Sequence, residues 1–238
     1  GVRFGMDLLW ALVLSILATI ILQNMSARVG LVTQKDLGTA MREVVKHPIL
    51  KTLLMTLVVV AIVFGNAAYE AGNISGAVMG FSAIYADTQF SFGSYSLDYL
   101  PLVIGVCCFF ILNLNSYKKI EKLLIVMVVL MSLSFLTTAL ITQPDLISLL
   151  QGIALFKMPS ESLTTVLAIV GTTIVPYNLF LHSSVVQEKW KGISGLKLVK
   201  LDSTIAIALG GIVSMAVVIA ASDIPKEDLK SILDMAET

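Results

Sequence analysis

Residues 166–188 form an apolar stretch of membrane length with a proline near its middle, and they carry the first candidate site. Pro176 has no N–H, so the carbonyl of Thr172, four residues earlier, lacks its helical partner. Proline also drives Val175 out of helical dihedrals, and Gly171 adds flexibility just before it. An unpaired carbonyl is costly in hydrocarbon and is tolerated where it lines a cavity. The pattern therefore predicts a broken membrane helix whose break binds a solute, as in secondary transporters.

Polar side chains follow the break at once. Tyr177 and Asn178 come directly after the proline, and His182 lies four residues after Asn178, on the same helical face. A lone histidine in a membrane helix either bonds a neighbouring helix or takes part in a cavity or proton path. Because this histidine follows a break, the sequence favours the second interpretation.

A second polar stretch lies at 65–76. Asn66, Glu70 and Asn73 are spaced i, i+4 and i+7 and share one helical face. An ionised carboxylate at the centre of a membrane helix costs about 3 kcal/mol on insertion scales, so it usually faces a bundle interior or a water path. Two interpretations remain open: a packed interhelical face with a hydrated Glu70, or a polar wall of a permeation path. Four glycines are expected to allow close helix packing here: Gly65, Gly72, Gly76 and Gly80.

The composition requires a membrane environment. Of the 238 residues, 57% are hydrophobic and 13% are charged. Six runs approach the roughly 20 apolar residues of a transmembrane helix: 7–28, 49–70 with a weaker continuation to 85, 99–116, 120–142, 162–188 and 201–221. They predict an all-α polytopic membrane protein, with 1–238 as a single transmembrane domain and the lipid bilayer as its partner. Cys107 and Cys108 are adjacent and are expected to pack as small hydrophobes. No hydrolase or nucleotide motif is present, so neither an enzyme nor a nucleic-acid partner is expected.

Basic residues alternate along the predicted connections. Three connections are basic. The connection between the first and second helices contains Arg28, Lys35, Arg42, Lys46 and Lys51. The connection between the third and fourth contains Lys118, Lys119 and Lys122, and that between the fifth and sixth contains Lys189, Lys191, Lys197 and Lys200. The positive-inside rule makes these loops cytoplasmic, in a plasma (inner) membrane protein whose first helix enters the cytoplasm. With its first residue outside and no signal peptide, the chain is expected to be a fragment that lacks an earlier helix.

Four segments resemble one transporter family. Residues 171–187, Gly-Thr-Thr-Ile-Val-Pro-Tyr-Asn-Leu-Phe-Leu-His-Ser-Ser-Val-Val-Gln, resemble the sixth helix of the Nramp divalent metal transporters, Gly-Ala-x-x-Met-Pro-His-Asn-Leu-Tyr-Leu-His-Ser. Residues 22–30 with 35–37 resemble the end of the family's second helix, 118–122 the turn before its fifth, and 200–206 the start of its seventh. The resemblance implies a partial LeuT-like inverted-repeat fold covering helices two to seven, with six transmembrane helices, one of them broken. The family's first helix, with its Asp-Pro-Gly-Asn motif, would supply the other half of a metal site.

Three departures from the family pattern bear on the metal and on proton transfer. Val175 replaces a methionine, whose thioether favours soft or borderline metals, and Tyr177 replaces a histidine. The family also has an Asp-x-x-Glu pair in its third helix. Glu70 occupies the first of these two positions, and Asn73 replaces the acid at the second. The resemblance then implies the Nramp-related magnesium transporters, with Mg²⁺ as substrate and Mn²⁺ tolerated. The metal site would comprise the Thr172 carbonyl, the Asn178 amide and the space left by Val175. The substrate path would comprise Gly171, Pro176, Tyr177, His182, Glu70 and Asn73. No resident cofactor is expected beyond the transported divalent cation.

Three alternatives remain open. A proton-coupled Mn²⁺/Fe²⁺ symporter would need another soft ligand outside this chain. In the second alternative, an Nramp-related protein carries a non-metal solute, since fold does not determine substrate. In the third alternative the protein is a membrane receptor or scaffold, and the break is only a packing kink.

Overall fold

The computed structural model describes residues 1–82, 89–92, 95–113, 117–190 and 192–224. Its elements are α1 (Leu9–Thr33), α2 (Leu37–Val44), α3 (Pro48–Ser82), β1 (Gln89–Phe92), β2 (Tyr95–Asp98), α4 (Leu100–Asn113), α5 (Tyr117–Ile141), α6 (Leu146–Ala154), α7 (Leu163–Thr173), α8 (Pro176–Lys189) and α9 (Leu196–Ala220). Short 3₁₀ turns, Ile193–Gly195 and Ala221–Asp223, flank α9. β1 and β2 pair antiparallel with Gln89 opposite Asp98, which adds a small hairpin to the predicted helices.

Five helical segments in the described part of the chain are long and apolar enough to cross a membrane: Leu9–Thr33, Pro48–Ser82, Ile120–Ile141, Leu163–Lys189 and Ile193–Asp223. The run predicted at 99–116 corresponds to α4, whose 14 residues would extend about 21 Å. That is less than the ~30 Å of a bilayer core, so α4 falls short of the length criterion. The predicted ends at 85 and 116, and Lys191, lie outside the described residues.

Helix α1 is the centre of the bundle and packs against α6, α7, α8 and α9. Its C-terminal half joins a cluster of buried residues: Ala27, Leu31, Val186 and Val199. A second cluster at its N-terminal end contains Leu8, Ala11 and Val166. Many large apolar side chains on the other helices are exposed, as expected for surfaces that face lipid.

Small and hydroxylated residues form the face of α1 that packs most closely. Ser15, Thr19, Ser26 and Gly30 are all buried on this helix. The Ser15 and Thr19 hydroxyls donate to backbone carbonyls of their own helix at 2.7 Å. The Ser26 hydroxyl donates across the interface to the carbonyl of Leu179. Close helix approach is therefore achieved with small residues, as is common in membranes.

The glycines of α3 do not play the predicted packing role among the described residues. A Cβ added at Gly65, Gly72, Gly76 or Gly80 would meet no described atom within 4 Å. By contrast, a Cβ at Gly30 would collide with the backbone carbonyl of Ser183. The close contact predicted for α3 thus lies between α1 and α8, because α3 runs along the outside of the described bundle.

The two ends of the bundle carry different connections. The α1–α2 and α8–α9 connections meet at one end, where Lys189 pairs with Asp202 at 3.3 Å. At the other end, Asp7 pairs with Lys157 at 3.2 Å. Exposed ion pairs of this kind add little stability. Two of the three connections predicted to be basic therefore share one end, and the side of the membrane that they face stays a prediction.

Helix α2 begins at a capping carboxylate outside the five candidate spans. The Asp36 carboxylate accepts hydrogen bonds from the Thr39 hydroxyl at 2.7 Å and from the Thr39 amide at 2.8 Å. These hydrogen bonds hold the pKa of Asp36 below its usual value, and the bond from the Thr39 hydroxyl has the largest effect. The ionised form of Asp36 is therefore the stronger cap.

Asp36→Ala is expected to weaken α2 by about 1 kcal/mol, the typical value of an N-cap. Because the folded-state pKa is depressed, the stabilisation by charge is present above the ordinary Asp pKa of about 3.9 and is lost as the pH falls through the folded value. Hydrogen exchange of residues 37–44 measures both effects. Asp36→Asn serves as the control, since it keeps an acceptor but does not ionise; it should lose little protection and show no such pH dependence.

Candidate functional site

The break in the long helix lies where the proline predicts it. Helix α7 ends at Thr173, and Ile174 (φ −96°, ψ 80°) and Val175 (φ −91°, ψ 124°) leave the helical conformation. Pro176 is the first residue of α8, a position where its missing N–H is tolerated. The prediction of a broken helix is confirmed, and the non-helical segment is two residues long.

Hydroxyl groups on two other helices approach the carbonyl oxygens at the end of α7. The Tyr69 hydroxyl of α3 donates a hydrogen bond to the Thr172 carbonyl. The Thr173 carbonyl has a longer contact, 3.4 Å, with the Thr19 hydroxyl. Because Thr19 already donates its single proton to Ser15 at 2.7 Å, this contact leaves the Thr173 oxygen weakly satisfied.

A cavity of about 420 Å³ lies beside the end of α7. Its polar lining comprises Thr165, Thr172, Thr173, Ser214 and the positively charged Arg3. Six waters at about 30 Å³ each would occupy roughly 180 Å³, so the volume admits a hydrated ion. Val175 and Asn178 are not among the residues that line this cavity: Val175 is 7% exposed and Asn178 is half-buried.

The predicted path residues of the long helix lie in different surroundings. Gly171, Thr172 and Pro176 are exposed, while Tyr177 and His182 are half-buried. His182 Nε2 lies 3.1 Å from the hydroxyl of Ser203 on α9. This contact corresponds to the interhelical interpretation of the histidine, and a proton-path role stays a prediction.

Glu70 and Asn73 have exposed side chains on α3, and the described residues provide no hydrogen-bond partner for either. The half-buried Tyr69, next to Glu70, is the residue through which α3 reaches the break. The polar stretch at 65–76 does approach the candidate site, but through a phenol that the spacing analysis did not select.

Comparison with known proteins assigns the family. The family model described as "Natural resistance-associated macrophage protein-like", Nramp, matches residues 1–238. The chain belongs to the Nramp family. A curated relative, the "Divalent metal cation transporter MntH" of Nostoc sp. (strain PCC 7120 / SAG 25.82 / UTEX 2576), is 28% identical over 238 residues. That match covers 93% of this chain and 50% of the relative, so the chain spans about half of the relative's length.

Nramp membership confirms three predictions: the family, the all-α polytopic membrane fold and a class that is not enzymatic. The protein is an integral membrane protein. The magnesium branch, the transported ion and the site residues are not decided by the family match.

The described residues of this Nramp chain contain no group of three or more His, Cys, Asp or Glu side chains placed to hold a metal ion. The donors near the break are instead neutral oxygens: the carbonyls of Thr172 and Thr173 and the hydroxyls around them. Oxygen donors favour hard cations, and Mg²⁺ in particular keeps several of its waters.

Three partners of the broken helix were not predicted from the sequence: Tyr69, Thr19 and Ser203. A signal for Thr19 exists: Ser15, Thr19, Ser26 and Gly30 recur at intervals of four, seven and four along an otherwise apolar helix. Such a row of small residues marks a helix–helix interface. For Tyr69 the signal is a hydroxyl next to an acidic residue within a membrane span, and that signal does not specify a partner.

Proposed function

We propose that this chain carries the cation-binding break of an Nramp-type secondary transporter that moves divalent cations by alternating access. Mg²⁺ is the expected substrate, and Mn²⁺ is tolerated. The observation that carries the proposal is the end of α7, where two successive carbonyls, Thr172 and Thr173, lose their helical partners at Ile174–Val175. This is the negative end of the half-helix dipole, which favours a cation.

The donor chemistry favours Mg²⁺ over softer ions. Val175 offers no thioether, and the remaining groups at the break are oxygens. We expect the ion to contact the Thr172 carbonyl and to be oriented by the Asn178 amide. Gly171, Pro176 and Tyr177 would border its path, with Glu70, Asn73 and His182 further along it. Most of its hydration shell would be retained, as Mg²⁺ prefers.

The relative supports the class of substrate, since its name describes a divalent metal cation transporter. We place the transporter in the plasma (inner) membrane with its basic loops in the cytoplasm. The helices that complete the ion site would come from parts of the transporter outside this chain.

Reconstituted full-length protein is expected to take up Mg²⁺ into liposomes without acidifying the lumen. Asn178→Ala should reduce Mg²⁺ uptake about tenfold or more, because a contact to a charged group contributes roughly 1.5–3 kcal/mol. Asn113→Ala is the matched control: Asn113 donates to the Phe109 carbonyl at 2.8 Å within α4 and should leave uptake unchanged.

Internal Mg²⁺ and Mn²⁺ dyes and a lumenal pH dye, read in parallel, separate the alternatives. Uptake of Mn²⁺ alone, with coupled proton entry, would refute the magnesium proposal in favour of a symporter. Absence of uptake of any divalent cation by a folded, correctly inserted protein would refute the transporter proposal itself.

A further inference from the structure

The phenol of Tyr69 occupies the oxygen that the proposed function assigns to the cation. Tyr69 lies on α3, and its hydroxyl donates to the Thr172 carbonyl, 103 positions along the chain. Pro176 removed the helical donor of that carbonyl, and α3 supplies a replacement.

The threonine hydroxyls beside the break donate their protons to carbonyls elsewhere. The Thr172 hydroxyl donates back to the Ala168 carbonyl at 2.7 Å, so it stays within α7. The neighbouring Thr173 carbonyl has only the 3.4 Å contact with Thr19, whose proton is committed to Ser15. Among the described residues, Tyr69 is therefore the side chain that donates its proton to a carbonyl at the end of α7.

A hydroxyl proton and a cation compete for the same carbonyl oxygen. Both are electropositive and need the lone-pair side of the oxygen, so each weakens the attraction of the other. A divalent ion interacts more strongly with a carbonyl than a neutral hydroxyl does, because hydrogen-bond and electrostatic strength increase with charge. Binding of the ion would thus displace the phenol.

Displacement of the phenol would also break the link between α3 and α7. The apolar window of α3 is not buried among the described residues, and the main contacts of the helix there are with α2, α4 and α8. Of the two halves of the broken helix, α3 thus packs on α8, while the hydrogen bond from Tyr69 joins it to the end of α7.

We propose that Tyr69 is a positioning residue that closes the ion-free break: its hydroxyl caps the Thr172 carbonyl until a divalent cation replaces it, which breaks the hydrogen bond between α3 and the end of α7. This proposal rests on the proposed function and adds to it a specific competitor for the ion.

The test is Tyr69→Phe in the full-length protein, with Mg²⁺ uptake into liposomes measured over a range of Mg²⁺ concentrations. Removal of a neutral competitor is expected to lower the KM for Mg²⁺ about two- to tenfold, the range that corresponds to one net hydrogen bond. The maximal rate should not rise, since the ion is then released more slowly. Tyr99→Phe makes the same chemical change at an exposed tyrosine beside α4 and should leave KM unaltered. If Tyr69→Phe does not fold, Tyr69→Leu also lacks the hydroxyl and should shift KM in the same direction.

A KM that is unchanged, with a rate reduced in proportion to folded protein, would show a merely structural bond and overturn the proposal. A raised KM would show that the phenol is a ligand or support of the ion and would overturn it as well. In both cases wild-type uptake remains, so the proposed function stands. Absence of divalent uptake by the wild type would refute both.

Discussion

Gly30→Ala is expected to separate α1 from α8 and to destabilise the protein by about 1–3 kcal/mol, the usual range for overpacking. The added Cβ would collide with the backbone carbonyl of Ser183, which cannot move away as the end of a flexible side chain could. The shift would also strain two adjacent bonds, Ser26 to the Leu179 carbonyl and the Leu37 amide to the Ser183 hydroxyl at 2.9 Å. Thermal unfolding of the purified protein in detergent measures the loss as a lower Tm.

Gly65→Ala is the matched control for this prediction. It makes the same change in a helix of the same protein, but no described atom lies within 4 Å of the new Cβ. Alanine is favoured over glycine in a helix interior by roughly 0.5–1 kcal/mol, so the Tm should stay the same or rise slightly. Equal losses from Gly30→Ala and Gly65→Ala would contradict the close approach of α1 and α8.

Local chemistry made the break predictable. A proline within an apolar stretch removes one hydrogen bond and restricts the preceding residue wherever it occurs, so Pro176 and Val175 are informative without any knowledge of their neighbours. The long spans follow in the same way from hydropathy, which depends on the solvent rather than on a partner. The short α4 was harder to predict, because an apolar run does not specify where its helix ends.

The contacts between helices could not be predicted in the same way. The helices α1 and α3 are only weakly amphipathic, so no hydrophobic stripe tells which face packs inward, and on α1 the row of small residues is the available signal. On α3 the spacing selected Asn66, Glu70 and Asn73, whereas the residue that reaches the break is Tyr69, one position away. A shift of one residue rotates a helix by about 100°, which is enough to turn a lipid-facing residue into a contact.

His182 shows the same limitation at a single side chain. Its type and position after the break favour a cavity or proton path, and this role stays a prediction. What the position could not indicate is the contact of its Nε2, 3.1 Å from the hydroxyl of Ser203 on another helix. Ser203 is buried and lies 21 positions further along the chain, in a segment that the spacing around the break does not reach. Only the packing of α8 against α9 brings the two together.

Val175→Met is expected to move the ion preference of the transporter towards softer metals. The substitution restores the thioether that the family pattern places beside the proline. A soft sulfur donor stabilises Cd²⁺ and Mn²⁺ but contributes nothing to Mg²⁺, which prefers oxygen. The KM for Cd²⁺ uptake should fall about tenfold, equivalent to ~1.4 kcal/mol, while Mg²⁺ uptake stays the same or declines.

Val175→Leu separates the sulfur from its bulk. Val175 is only 7% exposed, so any longer side chain disturbs its packing, and leucine and methionine fill similar volumes. The leucine variant should show the loss in Mg²⁺ uptake without the gain for Cd²⁺. If both variants gain Cd²⁺ uptake equally, the cause is steric and the thioether is not a ligand. If neither variant gains Cd²⁺ uptake, the side chain of residue 175 packs between helices and does not contact the ion. The carbonyl oxygens alone would then select the substrate.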